Sequence, residues 1–144
     1  MIRIPSRRSR FTCAALACAT LLSLRAAASS TDPVLDVSER FLSHIDAGEY
    51  QAAWELLHPN YQKLGPMAYW KANIEKKRTQ LGSVVTREPS PIHDMTEEVP
   101  NMPQGTYLIV RFGSQYEKQD SVLEIVMLGF VEGMGWRVAG YGVR

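Results

Sequence analysis

The chain has 144 residues, one domain's worth, with 45% hydrophobic and 22% charged residues and no low-complexity tract. Its formal net charge of +1 hides an asymmetry: residues 1–28 hold Arg3, Arg7, Arg8, Arg10 and Arg25 and no acid, which leaves eleven basic and fifteen acidic residues, net −4, in residues 29–144. A mildly acidic domain has no general electrostatic pull on nucleic acid or anionic lipid, so no nucleic-acid partner is expected.

The N-terminal stretch reads as a targeting segment. Four arginines within Met1 to Arg10 precede a short, mostly apolar run, Phe11 to Leu24, and then Ala26-Ala27-Ala28-Ser29. A basic start, a short apolar middle and a small-residue cleavage site describe a secretory signal peptide, so residues 1–28 are expected to be removed and residues 29–144 to form one exported domain. The apolar run is shorter than the roughly 20 residues of a membrane span, and no span is expected after signal removal. Both cysteines, Cys13 and Cys18, lie inside this segment. Ala15-Leu16-Ala17-Cys18 differs from a lipobox in the placing of its leucine, so the expected destination is the periplasm or the medium and not a lipid anchor. The exported domain then has neither disulfide nor thiol nucleophile, and metal ligands would have to come from His, Asp and Glu.

Asp32-Pro33 is a helix start, with Asp as cap and Pro in the first turn. Val34, Val37, Phe41 and Ile45 follow at helical spacing, widened by Leu35 and Leu42, with Asp36, Glu39, Arg40 and Asp46 opposite, and Gly48 ends the helix. A second helix carries Tyr50, Ala53, Trp54 and Leu57 on one face and is expected to stop at Pro59, with Asn60 to Leu64 an irregular turn. Gly65-Pro66 opens a third helix. Its buried side is Met67, Trp70, Ile74 and Leu81. Its wet side is Lys71, Glu75, Lys76, Lys77 and Arg78, and Gly82 closes it. The basic trio Lys76-Lys77-Arg78 reads as a solvated helix end rather than a phosphate patch, cations being favoured where the dipole is negative.

Ser83 to Arg87 is a first strand stopped by Pro89 and Pro91, and residues 93–104 read as a surface loop or ragged edge. Three β-rich runs follow. In the first, Thr106, Leu108, Val110 and Phe112 share a face, and Tyr107, Ile109 and Arg111 the other. In the second, both faces are apolar from Val122 to Val131 except at Glu124, as in a covered central strand or one at a subunit contact. The third closes the chain from Trp136 to Arg144 after the turn Glu132 to Gly135. Three helices followed by about four antiparallel strands argue an α+β domain, with a twisted sheet curled around the first helix as a cone that encloses an apolar pocket.

Trp54, Trp70, the run Leu81-Gly82-Ser83-Val84-Val85-Thr86-Arg87, Met102-Pro103-Gln104-Gly105-Thr106-Tyr107, Glu124, and Trp136 to Arg144 together resemble the secreted bacterial family DUF4019, a domain of unknown function. The resemblance implies an NTF2-like, cystatin-type cone and export. It implies no activity, and it assigns no catalytic residue.

Chemistry must therefore be sought in the residues. His44, His58 and His93 are scattered, with no spacing that would pair them as ligands, so no metal and no cofactor are expected. There is no Gly-x-Ser-x-Gly elbow; Ser114 and Ser121 read as strand-end serines. Glu124 is the one candidate acid–base group, because a carboxylate pointing into an apolar cone would be desolvated and could act as a base. The alternative is an ordinary ion pair with Arg87, Arg111 or Arg137 across neighbouring strands. Candidate ligand contacts are Trp54, Trp70, Arg87, Tyr107, Arg111 and Tyr141, which would either wall a pocket or fill a cysteine-free core. The leading reading is a non-enzymatic module that binds a small apolar ligand or a protein partner, with a homodimer through the sheet; the alternative is a small isomerase or dehydratase with Glu124 as base.

Overall fold

The computed structural model describes residues 32–95 and 99–144. The expected signal peptide, with its arginines and both cysteines, lies outside the described residues, as do Glu97 and Glu98. The described chain is a mixed α+β domain. Its element order is α1 (Pro33–Ala47), α2 (Tyr50–Glu55), α3 (Pro59–Gln62), α4 (Met67–Leu81), β1 (Val84–Pro89), β2 (His93–Asp94), β3 (Tyr107–Tyr116), β4 (Gln119–Val131) and β5 (Gly135–Val143).

α1 forms as its ends dictate. The Asp32 carboxylate accepts from the Val34 N–H at 2.8 Å, Pro33 occupies the first turn, and Gly48 takes the left-handed conformation, φ 73°, that closes the helix. Its buried stripe is Val34, Val37, Ser38, Phe41, Leu42 and Ile45. The helix lies against β3, β4 and β5. It meets there the inward residues Val110, Phe112, Val126, Leu128 and Val138, which are buried with it in one apolar core.

Among the described residues there are four helices and five strands, not the three and four expected. Proline is the reason for the extra helix. His58 precedes Pro59 and is held extended (φ −62°, ψ 135°), and Pro59 then serves as the first residue of a new short helix. His58 Nδ1 caps that helix by accepting from the Asn60 N–H at 3.1 Å. Burial, and then the charge of Lys63, hold the His58 pKa below its usual value, which keeps the ring neutral and able to accept. α2 itself ends before Leu57, whose backbone neighbours turn to the sheet: the His58 N–H donates to Val138 O at 2.8 Å, and the Val138 N–H donates to Leu56 O at 2.9 Å.

The sheet is antiparallel in the order β1-β3-β4-β5, with β2 also on β3. β1 runs on to Pro89, and β2 forms within the stretch expected to be loop: His93 and Asp94 pair with Ile109 and Leu108. Both belong to one interrupted edge, where β1 covers the far half of β3 and β2 the near half. Proline is tolerated there because an edge strand has one row of hydrogen-bonding groups to spare. A bulge at Ala139 of β5, the extra residue between Val138 and Gly140 where their partners Leu128 and Met127 are consecutive in β4, shifts the facing of β5, so Val138 and Tyr141 both point to the helices. The opposite face of the sheet carries Ile109, Arg111, Ile125 and Met127, bordered by Met95, Val99 and Met102. None of the helices among the described residues is long and apolar enough to cross a membrane.

Candidate functional site

Two neighbourhoods on the helix side of the sheet concentrate the polar and aromatic side chains. The first is a buried charge cluster. Glu124 is central in β4 and fully buried at 0% exposure. Alternation places it on the inward face with Val122 and Val126, beside Phe112 of β3, its partner in register. Its Oε2 accepts from Arg87 Nε at 2.7 Å and from Ser114 Oγ at 2.6 Å. Its Oε1 accepts from Tyr141 OH at 2.7 Å and from Arg78 Nη2 at 3.4 Å. Asp46, from the last turn of α1, closes the cluster: its oxygens accept from Arg87 Nη1 at 2.5 Å and from Arg78 Nη2 at 3.0 Å. The Tyr116 hydroxyl takes Arg87 Nη2 at 3.0 Å and also accepts from Arg78 Nη1. Two guanidinium groups meet two carboxylates, so the cluster is neutral as a whole.

The electrostatics follow from that geometry. Burial alone would raise the Glu124 pKa, but the hydrogen bond and charge of Arg87, with the bonds from Ser114 and Tyr141, outweigh it and hold the carboxyl below its usual range. Burial, then the charge of Glu124, pushes Tyr116 up to about 12 and Tyr141 up as well. Burial would lower the Arg87 pKa, but hydrogen bonds to Asp46 and Glu124 raise it. Near neutral pH these shifts hold Glu124 and Arg87 charged and the Tyr116 and Tyr141 phenols neutral. A proton acceptor must have room for a substrate, and Glu124 lines none of the four clefts described among these residues.

The second neighbourhood is an aromatic cleft of about 350 Å³ between α4 and the edge of β5. Its walls are Trp54, Tyr61, Trp70 and Tyr141, with Tyr69 and Lys77 at the rim. Trp54 and Trp70 meet edge to face with ring centroids 5.4 Å apart, and Trp70 leans on Phe41 of α1 at 6.4 Å. Trp70 is buried, and its indole Nε1 has no hydrogen-bond partner among the described residues. Tyr69 is 69% exposed and Leu64 55%, so large apolar surface remains in water at the cleft mouth. Tyr141 joins the two neighbourhoods: its hydroxyl holds Glu124, while its ring packs on Phe41 at 5.5 Å and lines the cleft.

Of the residues singled out in the sequence, the structure brings Glu124, Arg87 and Tyr141 into the charge cluster, and Trp54, Trp70 and Tyr141 into the cleft. Arg111 and Tyr107 belong to neither. Arg111 sits on the opposite sheet face. The buried ring of Tyr107 covers Gly129, where an added Cβ would come within 2.6 Å of it, and its hydroxyl donates to Pro103 O at 2.7 Å. Glu124 pairs with Arg87, as one alternative had it, but its second arginine is Arg78 and not Arg111 or Arg137. Arg78, expected on the wet side of its helix, has a side chain only 11% exposed. The missed signal is its spacing. Arg78 lies four residues after Ile74 and three before Leu81, on the buried stripe, and Asp46 likewise lies four after Leu42. Ser114 is not at a strand end but inside β3, in the inward row of Val110, Phe112 and Tyr116. No group of three or more His, Cys, Asp or Glu side chains among the described residues could hold a metal ion.

Fold and site together define a small α+β domain that buries one charge cluster between helices and sheet and leaves aromatic surface at the edge of its sheet. The family model DUF4019, described as a protein of unknown function, matches residues 37–141, and the chain belongs to that family. No curated protein and no solved structure matches it.

Proposed function

We propose that this chain is an exported, non-enzymatic binding module whose aromatic cleft between α4 and β5 takes an apolar group. Export rests on the basic and apolar pattern of residues 1–28. The shape in this reading is an NTF2-like cone, with α1 laid against β3, β4 and β5 and the cleft as its mouth. One observation carries the proposal: the buried carboxylate is saturated by protein donors, whereas the cleft presents Tyr69, Leu64 and the half-buried Trp54 to solvent. Saturation of Glu124 weighs against the isomerase or dehydratase reading, since a base needs a free lone pair facing its substrate. Aromatic walls with a single cation at the rim favour apolar groups that carry or adjoin negative charge.

The test is a titration with 1-anilinonaphthalene-8-sulfonate, an aromatic probe bearing one anionic group. Saturable one-to-one fluorescence enhancement is expected, weakened about tenfold by Tyr69→Ala, a loss of about 1.4 kcal/mol. Absence of saturable binding, or unchanged affinity in Tyr69→Ala, would overturn the reading.

A further inference from the structure

The outer edge of β5 is open where it borders the cleft. Arg144 exchanges two backbone hydrogen bonds with Leu123, both 2.9 Å. In an antiparallel ladder such pairs alternate with pairs whose N–H and C=O point away. Counting back through the register, Val143 opposite Glu124 and Tyr141 opposite Val126 therefore turn their backbone groups outward. Past the bulge the next outward residue is Val138, and its groups are already taken by Leu56 and His58. The edge is thus capped at Val138, and at Tyr141 and Val143 no bond to another element meets the outward groups among the described residues.

On the helix side this free stretch borders the groove walled by Trp70, Ile74 and Lys77 of α4. On the other side it borders a second groove of about 540 Å³ with Ile125, Met127, Arg111 and Arg144. Neither groove is lined by an acidic side chain among the described residues, although the domain as a whole is acidic.

We infer that the Tyr141–Val143 edge accepts one extended segment of a partner protein as an added strand, with apolar side chains entering the aromatic cleft and acidic ones facing Arg144 and Arg111. This rests on the proposed binding role of the cleft and names its occupant. An added strand would lie about 4.8 Å from β5 and satisfy both outward N–H and C=O pairs. Alternation then sends successive side chains to the two grooves, so the matching sequence alternates apolar with acidic residues. A second copy paired through the same edge would bring its own Lys77, Arg111 and Arg144 to these grooves rather than acidic groups, which argues against another copy of this chain.

The test uses the full chain and a synthetic heptapeptide alternating aspartate with valine and phenylalanine, blocked at both ends. It is compared with two N-methylated forms, one methylated on the amides that would face β5 and one on the intervening amides. Binding of the parent peptide is expected, with protection of the Tyr141 and Val143 amides from hydrogen exchange. The β5-facing methyl groups should weaken it at least about tenfold and the others by less than about twofold. Val143→Pro, which deletes one edge donor, should weaken it in the same sense, and Arg144→Ala should reduce its salt sensitivity. No binding of the parent peptide, or equal loss from both methylated forms, would overturn the inference. Amide protection at Tyr141 and Val143 that grows with protein concentration alone would assign the edge to a second copy, and overturn it as well. Sulfonate-probe binding that persists while the peptide fails would leave the cleft's role standing without its peptide.

Discussion

The two ends of α4 face different neighbourhoods. Toward its C-terminus Arg78 enters a closed cluster in which the Glu124 oxygens, both arginines and two phenols are committed to one another. Toward its N-terminus Trp70 meets Trp54 and Phe41 but leaves its indole N–H without an acceptor among the described residues, and Tyr69 stands in solvent beside it. The first end uses polar groups to fix the docking of α1, α4 and the sheet, since Asp46, Arg78 and Glu124 come one from each. The second leaves apolar and backbone groups unused. What distinguishes a structural from a binding cluster here is not residue type, because both contain tyrosines and cations. It is whether the carboxylates and phenols already have their partners, as they do in the cluster even though Arg78 Nε has none among the described residues.

That contrast can be broken most forcefully at Arg87. Arg87→Met removes the guanidinium that bridges Asp46 and Glu124 and leaves a buried carboxylate short of a donor, which costs about 3–5 kcal/mol. Urea unfolding measures it; a loss under about 1 kcal/mol would mean that the cluster is not what holds the layers together. Tyr141→Phe keeps the ring on Phe41 and in the cleft but removes one donor to Glu124, and should cost about 1.5–3 kcal/mol, as for other hydrogen bonds to charge.

Titration sharpens the contrast next. The Glu124 pKa is lower in the fold than in the unfolded chain, so the stability it supplies is complete above the unfolded carboxylate range. That stability disappears as pH falls through the folded value. Tyr116 and Tyr141 shift the other way; their contribution is complete below about pH 10 and disappears as pH rises toward the value of about 12 reached by Tyr116. Urea midpoints should therefore stay level between about pH 7.5 and pH 9; they should fall below about pH 6.5, where unfolding lets His58 take a proton that the fold disfavours, fall further as Glu124 titrates, and fall again above about pH 10, and a fall inside the level window would contradict the assigned protonation states. The smallest effect on stability belongs to the open end. Tyr69→Ala should change it by less than about 0.5 kcal/mol while weakening probe binding, so the two readouts separate at this one residue.

Much of the frame is legible in the sequence, for reasons that can be named. α1 is written by its cap, its periodic stripe and its glycine, and β3 to β5 by alternation and turns. α3 was not legible because proline ends one helix and starts another with the same residue, and only His58 held extended tells which occurs. β2 was hidden because a two-residue edge pairing has too little pattern to rise above Pro91 and Pro100. The charge cluster was half legible. Glu124 stood out as a lone charge in an apolar strand, but its two arginine partners come from 37 and 46 residues earlier in the chain, and no local rule joins them. Arg78 was lost among Lys76 and Lys77, where charge outweighed helical phase in the reading. The free edge of β5 depends on a bulge and on the Leu56–His58 cap, neither of which has a signature in the residues themselves.

The protonation of Glu124 distinguishes a structural cluster from a catalytic one most directly. Carboxyl carbon chemical shifts of selectively labelled glutamate, followed from pH 2 to pH 8 within the folded range, measure its pKa on its own. Saturation by Arg87, Ser114, Tyr141 and Arg78 predicts a midpoint below the usual value of about 4.3. A midpoint of about 6 or above, as in a desolvated general base, would contradict it and return Glu124 to the role of catalyst.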